Sequence, residues 1–258
     1  RYFDVSESDI WNPNNSNQDI NEKIVNEFKI FLKKSQKKLV LDKSPYNSFN
    51  IELINEIFPN AKWIHILRDG RDVTLSINKE WKKREDIVSN KKFIELYRLI
   101  KTMLIRQSYF RYKWMAFKYE LKGKSIFSLN TLMNKSRWNG LSGWGPRFTN
   151  WNQFFVSHTL LEFNAMQWSS SVNAVRDGFK VIPDDKKIEI RYEDLIDNPK
   201  LTLVKTLGFL DMEIDSECFL KFPKINSNNS QKWKEEFSEY EIEKISKIIS
   251  PLLSKLDY

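Results

Sequence analysis

Short apolar runs alternate with amphipathic segments along this 258-residue chain. Three runs have the length of short buried β-strands. They are Leu39–Leu41, the run that ends at Arg68, and Lys187–Tyr192. Apolar residues recur at helical spacing over residues 19–33, 50–58, 70–81, 158–176, 199–221 and 239–256. Strands and helices that alternate with short connections predict an α/β fold with a parallel sheet flanked by helices. Pro251 should kink or divide the last helix.

The alternation lapses between residues 84 and 157, where a basic and aromatic stretch leads into loops with three of the seven glycines. We interpret this region as a helical and aromatic insertion within a single domain that spans residues 1–258. Aromatic rings and arginine stack on sugars and flat rings, so Trp144 and Arg147 are candidates for contacting a ligand there. Residues 223–258 are predicted to form a C-terminal loop and helix.

The formal charge of +8 favours an anionic partner, which could be nucleic acid, a phosphorylated cofactor, an acidic acceptor or an anionic membrane surface. Charge alone does not choose among these classes. The single cysteine, Cys218, excludes an internal disulfide framework and a thiolate metal cluster. It favours a reducing compartment, and we expect the cytoplasm. No segment reaches the roughly 20 apolar residues that a membrane-spanning helix needs.

Charged residues follow the predicted strands, and in an open parallel sheet ligands bind beyond these carboxyl ends. Ser76 lies eight residues after Arg68, inside the helix that follows the strand, so both side chains can face one cleft. A guanidinium and a hydroxyl would then bind a single phosphate group near a helix N-terminus. The alternative is that Arg68 forms an internal ion pair with Asp69, Asp72 or Glu193.

Two blocks of sequence resemble a known family. The segment "LVLDKSPYNSFNIELINEIFPNAKWIHILRDGRDVTLSI" resembles the central block of the sulfotransferases that use 3′-phosphoadenosine 5′-phosphosulfate (PAPS), in the branch of the bacterial, tyrosylprotein and heparan sulfate enzymes. The segment "IRYEDLIDNPKLTLVKTLGFL" resembles the later block of the same family. Both blocks occur in the family's order, with a variable acceptor region between them. The resemblance implies a P-loop-like fold and transfer of a sulfuryl group to a hydroxyl or amine.

The resemblance also implies roles for individual residues. Arg68 and Ser76 would bind the 3′-phosphate of PAPS, and Tyr192 would lie against the adenosine. Lys43 would act near the phosphosulfate or the acceptor, and Lys232 would contact a phosphate or sulfuryl oxygen. The product nucleotide would be adenosine 3′,5′-bisphosphate, and no metal is implied. The acceptor would be a small molecule, a glycan or a peptide, with no nucleic acid as partner.

One part of the family pattern is missing. The glycine-containing loop that grips the 5′-phosphosulfate precedes the quoted blocks in the family, but this sequence has no glycine before Gly70. We expect the sequence to begin downstream of that loop, because its first residue is Arg1 and not methionine. A catalytic base near that loop would then lie upstream as well. Among the residues present, Glu7 and His158 are the candidate bases, and the alternative for His158 is a helix cap or surface role. His65 is interpreted as a packed histidine within a strand.

Two other functions are compatible with a basic cleft. A non-catalytic module that binds nucleotide or single-stranded nucleic acid would also interleave cations with aromatic residues. An enzyme of another kind, such as a kinase, would need a Walker lysine motif or a magnesium-binding pair, and we identify neither. The order of Arg68, Ser76 and Tyr192 favours the sulfotransferase, with Gly70 permitting the turn between the strand and its helix.

Overall fold

A computed structural model describes residues 8–10, 17–90, 145–213 and 230–258, with the backbone alone over 84–90. By packing, the chain divides into two compact units, one of residues 1–6 and 79–144 and a second of residues 7–78 and 145–258. The second unit contains the candidate site residues named above except Trp144, which belongs to the first. The first unit is described over residues 79–90, which continue a helix. A single domain with an insertion over 84–157 stays a prediction.

The described elements follow the predicted order closely. The helices are α1 (Gln18–Ser35), α2 (Ile51–Ile57), α3 (Gly70–Asn90), α4 (Trp151–Ser157), α5 (Leu160–Gly178), α6 (Tyr192–Asp197), α7 (Pro199–Phe209), α8 (Trp233–Glu236) and α9 (Glu239–Lys255). The strands are β1 (Trp63–Leu67) and β2 (Lys187–Arg191), and short 3₁₀ helices span Pro45–Phe49 and Asp184–Lys186. Residues 214–221 of the predicted helix over 199–221 lie outside the described residues.

The two strands form a parallel pair, which confirms the mixed α/β class. Trp63 lies opposite Lys187, and Leu67 lies opposite Arg191. The two strands therefore end at the same level, and the residues that follow them come together at one edge of the sheet. The P-loop-like character of the fold stays a prediction.

The predicted strand at Leu39–Leu41 is wrong. These residues belong to no strand, and the side chains of Leu39 and Leu41 are 52% and 77% exposed. A run of three apolar residues forms a strand only where a neighbouring strand accepts its backbone hydrogen bonds. Within the described residues, the sheet contains β1 and β2 alone. Among the described residues the run has no such partner, and its leucines lie at the surface.

The main core lies between α5, α9 and the beginning of α3. Its buried residues include Leu67, Leu75, Leu161, Ala165, Trp168, Val172, Ile245, Ile249, Leu252 and Leu253. Helices α5 and α9 both begin with a capping box, formed by Thr159 with Glu162 and by Ser238 with Glu241. Pro251 does not divide the last helix, because α9 continues through it, and a kink at the proline stays a prediction. Buried residues on both sides of the proline hold the helix together.

Gly70 is required for close packing and not for the turn that the sequence predicted. Its φ lies outside the left-handed region, so the turn itself does not require glycine. A Cβ atom at this position would instead lie 2.6 Å from Cε3 of the buried Trp168. Glycine therefore permits the first turn of α3 to pack directly against the indole of α5.

Substituting Gly70→Ala should lower the free energy of unfolding by about 1–3 kcal/mol, because the added methyl group would overlap the indole of Trp168. Gly208→Ala is the matched control, since a Cβ there meets no atom within 4 Å and the residue lies in α7. It should be neutral or stabilise by up to about 1 kcal/mol. Urea denaturation measures both, and equal stability of the two variants would contradict the packing argument.

Candidate functional site

The strand register brings the predicted arginine and tyrosine together. Because Leu67 lies opposite Arg191, the next residues along the two strands are Arg68 and Tyr192. The centre of the Arg68 guanidinium lies 4.5 Å from the centroid of the Tyr192 ring, which is a cation–π contact. One residue further, the backbone N–H of Asp69 donates to Oε1 of Glu193 at 3.1 Å. The two strand ends are thus joined at consecutive positions.

The three carboxylates considered as partners of Arg68 have different surroundings. Asp69 caps α3 by accepting from the backbone N–H of Arg71 at 2.8 Å, and it also accepts from the Arg71 guanidinium at 2.7 Å. Oε2 of Glu193 accepts from the hydroxyl of Tyr258 at 2.8 Å. Oδ2 of Asp72 lies 3.9 Å from Nη2 of Arg68. That distance exceeds a hydrogen bond, so the ion pair with Asp72 is a loose one.

The Tyr258 hydroxyl lies against the same edge of the sheet. Burial and the neighbouring Glu193 carboxylate raise the pKa of Tyr258 well above its ordinary value, which keeps the hydroxyl protonated as the donor to Glu193. The guanidinium of Arg191 covers the Tyr258 ring at 4.6 Å and donates to the carbonyl of Leu256. The end of the chain therefore holds Glu193 in position beside Asp69.

Ser76 lies on the same face of α3 as Asp72. The two residues are four positions apart in one helix, and such residues are neighbours on its surface. Asp72 approaches Arg68, so Ser76 lies one turn beyond that contact. Its side chain is exposed, whereas Leu75 and Ile77 on either side are buried. The Ser76 hydroxyl is therefore open to solvent on this helix, and a shared site with Arg68 stays a prediction.

The C-terminal segment reaches the beginning of α3. Asp72 accepts hydrogen bonds from the backbone N–H groups of Gln231 and Trp233, at 2.7 and 3.2 Å. The guanidinium of Arg71 lies 4.1 Å from the Trp233 ring centroid. Lys232, the intervening residue, is half-buried in this turn. The structure thus brings the backbone of Lys232 to the helix that follows Arg68.

Residues 9–129 match the sequence model of the sulfotransferase family. The matched range is slightly under half of the chain. It contains Lys43, Arg68 and Ser76, and it ends before β2. It also extends beyond residue 90 into positions outside the described residues. The family match and the resemblance of the central sequence block therefore refer to the same strand and helix.

A solved structure titled "Sulfotransferase Domain from the Curacin Biosynthetic Pathway" is similar to the chain, with 14% sequence identity and a TM-score of 0.49. The alignment covers 88% of this chain and 66% of that one, so this chain spans just under two thirds of its length. Among curated proteins, none matches the chain significantly. In the described part of the chain, no helix has the length and apolar character needed to cross a membrane.

Lys43 and His158 lie on segments other than the two strand ends and α3. Lys43 is exposed just before the 3₁₀ helix Pro45–Phe49. His158 ends α4, where its Nδ1 lies 2.8 Å from Oγ of Ser157 and its ring stacks on Phe154 at 3.7 Å between centroids. These local contacts are those of a surface helix cap. A catalytic role for either residue stays a prediction.

His65 is a packed histidine, as its position within β1 indicated. Nδ1 lies 2.8 Å from Oε2 of Glu189 on the paired strand, and the ring packs edge-on against Phe179. The hydrogen bond from His65 lowers the pKa of Glu189, in opposition to the effect of burial. The pair fastens β1 to β2 away from the carboxyl ends of the strands.

The expectation that Arg147 contacts a ligand is wrong. Its side chain is 7% exposed and pairs with Asp9, whose side chain is equally buried, at 3.0 Å. The backbone N–H of Arg147 also donates to Oδ2 of Asp9 at 2.7 Å. A buried guanidinium needs a carboxylate partner, and Asp9 lies far away in the sequence. Trp144, the other candidate, lies outside the described residues.

Two features of the site were missed from the sequence. The first is the pair of hydrogen bonds that Asp72 accepts from the C-terminal turn, and the second is the contact between Glu193 and Tyr258. The spacing along the sequence indicated Asp72 only as a candidate ion-pair partner of Arg68. Its buried contacts join residues 159 and 161 positions apart, which no local pattern reveals.

Proposed function

We propose that this chain is a PAPS-dependent sulfotransferase, which moves a sulfuryl group to a hydroxyl or amine acceptor. The observation that carries the proposal is the stack of Arg68 on Tyr192 at the ends of two parallel strands, with the exposed Ser76 in the helix that follows Arg68. The family match over residues 9–129 supports the same reaction class. A glycan, a peptide or a small molecule would serve as the acceptor.

The side chains at the strand ends suit the 3′-phosphate of the nucleotide. Arg68 would provide a planar charged donor, and Ser76 would provide a neutral one to the same group. Tyr192 orients the guanidinium by stacking on it, and the opposite face of its ring would contact the adenosine. The neighbouring Asp69 and Glu193 carboxylates have donors of their own, which reduces their repulsion of a bound phosphate.

The remaining basic residues would act at a phosphate of the nucleotide or at the sulfuryl end. PAPS, when bound, supplies the sulfuryl group that is transferred. Lys232 would contact a phosphate or sulfuryl oxygen, and Lys43 would stabilise the charge that develops on the departing phosphate. His158 is the proposed acceptor of the proton that leaves the hydroxyl or amine. Each role depends on charge stabilisation and positioning, as in phosphoryl transfer.

Calorimetric titration with two nucleotides tests this function. Adenosine 3′,5′-bisphosphate should bind at least about 10-fold more tightly than adenosine 5′-monophosphate, because a lost charge-assisted contact costs about 1.5–3 kcal/mol. Equal affinities would contradict a 3′-phosphate site. A single-stranded oligonucleotide serves as the comparison, and if it bound more tightly than the bisphosphate, the chain would be a nucleic-acid-binding module instead.

A further inference from the structure

Asp72 is a buried carboxylate with an unusual set of partners. Its side chain is 1% exposed, and each of its two oxygens accepts a backbone N–H from the C-terminal turn. A buried carboxylate is costly unless donors satisfy it, and backbone amides are strong donors to such a group. The turn that supplies those amides is therefore bound firmly to the first turns of α3.

The two amides belong to the residues on either side of Lys232. Gln231 has a left-handed backbone (φ 60°), and Lys232 has a helical one (φ −61°, ψ −26°). Successive residues in these two conformations can direct their N–H groups at one anion. Here the anion is the carboxylate of Asp72. The backbone of Lys232 is consequently fixed from both sides.

A second contact holds the same turn. The Trp233 ring lies under the guanidinium of Arg71, which is itself fastened to Asp69 by hydrogen bonds of 2.7 to 3.1 Å. Arg71 and Asp72 are consecutive residues, so the turn contacts α3 through both an aromatic ring and its backbone. Lys232 lies between these two attachments, close to the helix that begins beyond Arg68.

The carboxylate of Asp72 also faces Arg68. Its Oδ2 accepts from Gln231 and lies 3.9 Å from Nη2 of Arg68, so one oxygen contacts both the C-terminal turn and the proposed phosphate-binding arginine. We propose that Asp72 is a positioning residue, which holds the turn of residues 231–233 beside Arg68 so that Lys232 forms part of the same anion site. This inference rests on the proposed nucleotide binding.

The direction in which one substitution changes the affinity for an anion separates a positioning role of Asp72 from a purely electrostatic one. Asp72 carries a negative charge next to Arg68, so its removal by Asp72→Asn should strengthen the binding of an anion if charge alone acts. If Asp72 positions Lys232, the same substitution should weaken binding, because an amide oxygen accepts the turn's N–H groups less strongly. We expect adenosine 3′,5′-bisphosphate to bind about 10-fold more weakly to this variant, a loss of about 1.4 kcal/mol.

The control is Glu235→Gln, which removes an exposed carboxylate from the segment that follows Lys232. It should leave the affinity for adenosine 3′,5′-bisphosphate unchanged or slightly raised. A double-mutant cycle with Lys232→Ala completes the test. Lys232→Ala should weaken binding in the wild-type background and have little further effect in the Asp72→Asn background, because the lysine is already displaced.

Hydrogen-exchange mass spectrometry gives a measurement that does not depend on the nucleotide. The peptide containing residues 230–236 should exchange faster in Asp72→Asn and faster still in Asp72→Ala. Unchanged exchange, or tighter nucleotide binding by Asp72→Asn, would overturn the inference. If the wild-type chain itself does not bind the bisphosphate, the proposed function fails, and the exchange rates still decide whether Asp72 holds the turn.

Discussion

Substituting Arg68→Ala should weaken the binding of adenosine 3′,5′-bisphosphate about 30-fold, which corresponds to about 2 kcal/mol. The guanidinium is the charged donor of the proposed 3′-phosphate site, and its side chain is 23% exposed at the end of β1. The Tyr192 ring limits the orientations of the guanidinium, so little conformational entropy is lost when it binds a phosphate. Isothermal titration calorimetry on wild-type and variant chains measures the loss.

Two further variants show whether the loss comes from this arginine's geometry. Arg68→Lys keeps the charge but loses the planar fork and its stacking on Tyr192, so its affinity should lie between those of wild type and Arg68→Ala. Lys180→Ala removes a cation that is 74% exposed and paired with Asp177, and it should have no measurable effect. Equal affinity of Arg68→Ala and wild type would refute the phosphate-binding role.

Substituting Asp9→Ala should lower the free energy of unfolding by about 3–5 kcal/mol, the range found when one partner of a buried ion pair is removed. The carboxylate accepts from the Arg147 guanidinium at 3.0 Å and from the Arg147 backbone N–H at 2.7 Å. Both side chains are 7% exposed, so water does not replace the lost partner. The variant would take this carboxylate away from the buried charge and the buried backbone N–H of Arg147.

Thermal and urea denaturation check this prediction, and two comparisons make it specific. Asp9→Asn keeps an oxygen for the backbone N–H of Arg147 and should lose less stability than Asp9→Ala. Asp177→Ala breaks the exposed pair with Lys180 and should change the free energy of unfolding by less than about 0.5 kcal/mol. A similarly small effect for Asp9→Ala would show that the pair contributes little to stability.

Arg147 illustrates a limit of sequence reasoning. Its place among glycine and tryptophan residues indicated an irregular aromatic loop that contacts a ligand. In the structure, residues 145–148 are buried, with Tyr46 and Gln167 donating to the carbonyls of Gly145 and Pro146. These donors come from distant parts of the chain. The composition of this segment therefore predicted an irregular backbone, but it did not predict that the segment is buried.

Leu39–Leu41 shows the same limit for a strand. Apolar side chains and a polar end are necessary for a buried strand, and the run has both. Pairing also depends on a neighbour, and within the described residues β1 pairs with β2. The run that ends at Arg68 does have a neighbour, and it forms β1. The predicted end of this strand was correct to within one residue.

The sequence by itself determined the positions of β1 and β2, the start of α3 and the placement of Arg68 at a strand end. These features depend on the spacing of apolar residues and on contacts between near neighbours, both of which can be observed along the chain. Only the tertiary structure decided that Arg68 stacks on Tyr192 and that Asp72 binds the turn around Lys232. These contacts join residues more than 100 positions apart, and the strand register and the packing of the C-terminal segment create them.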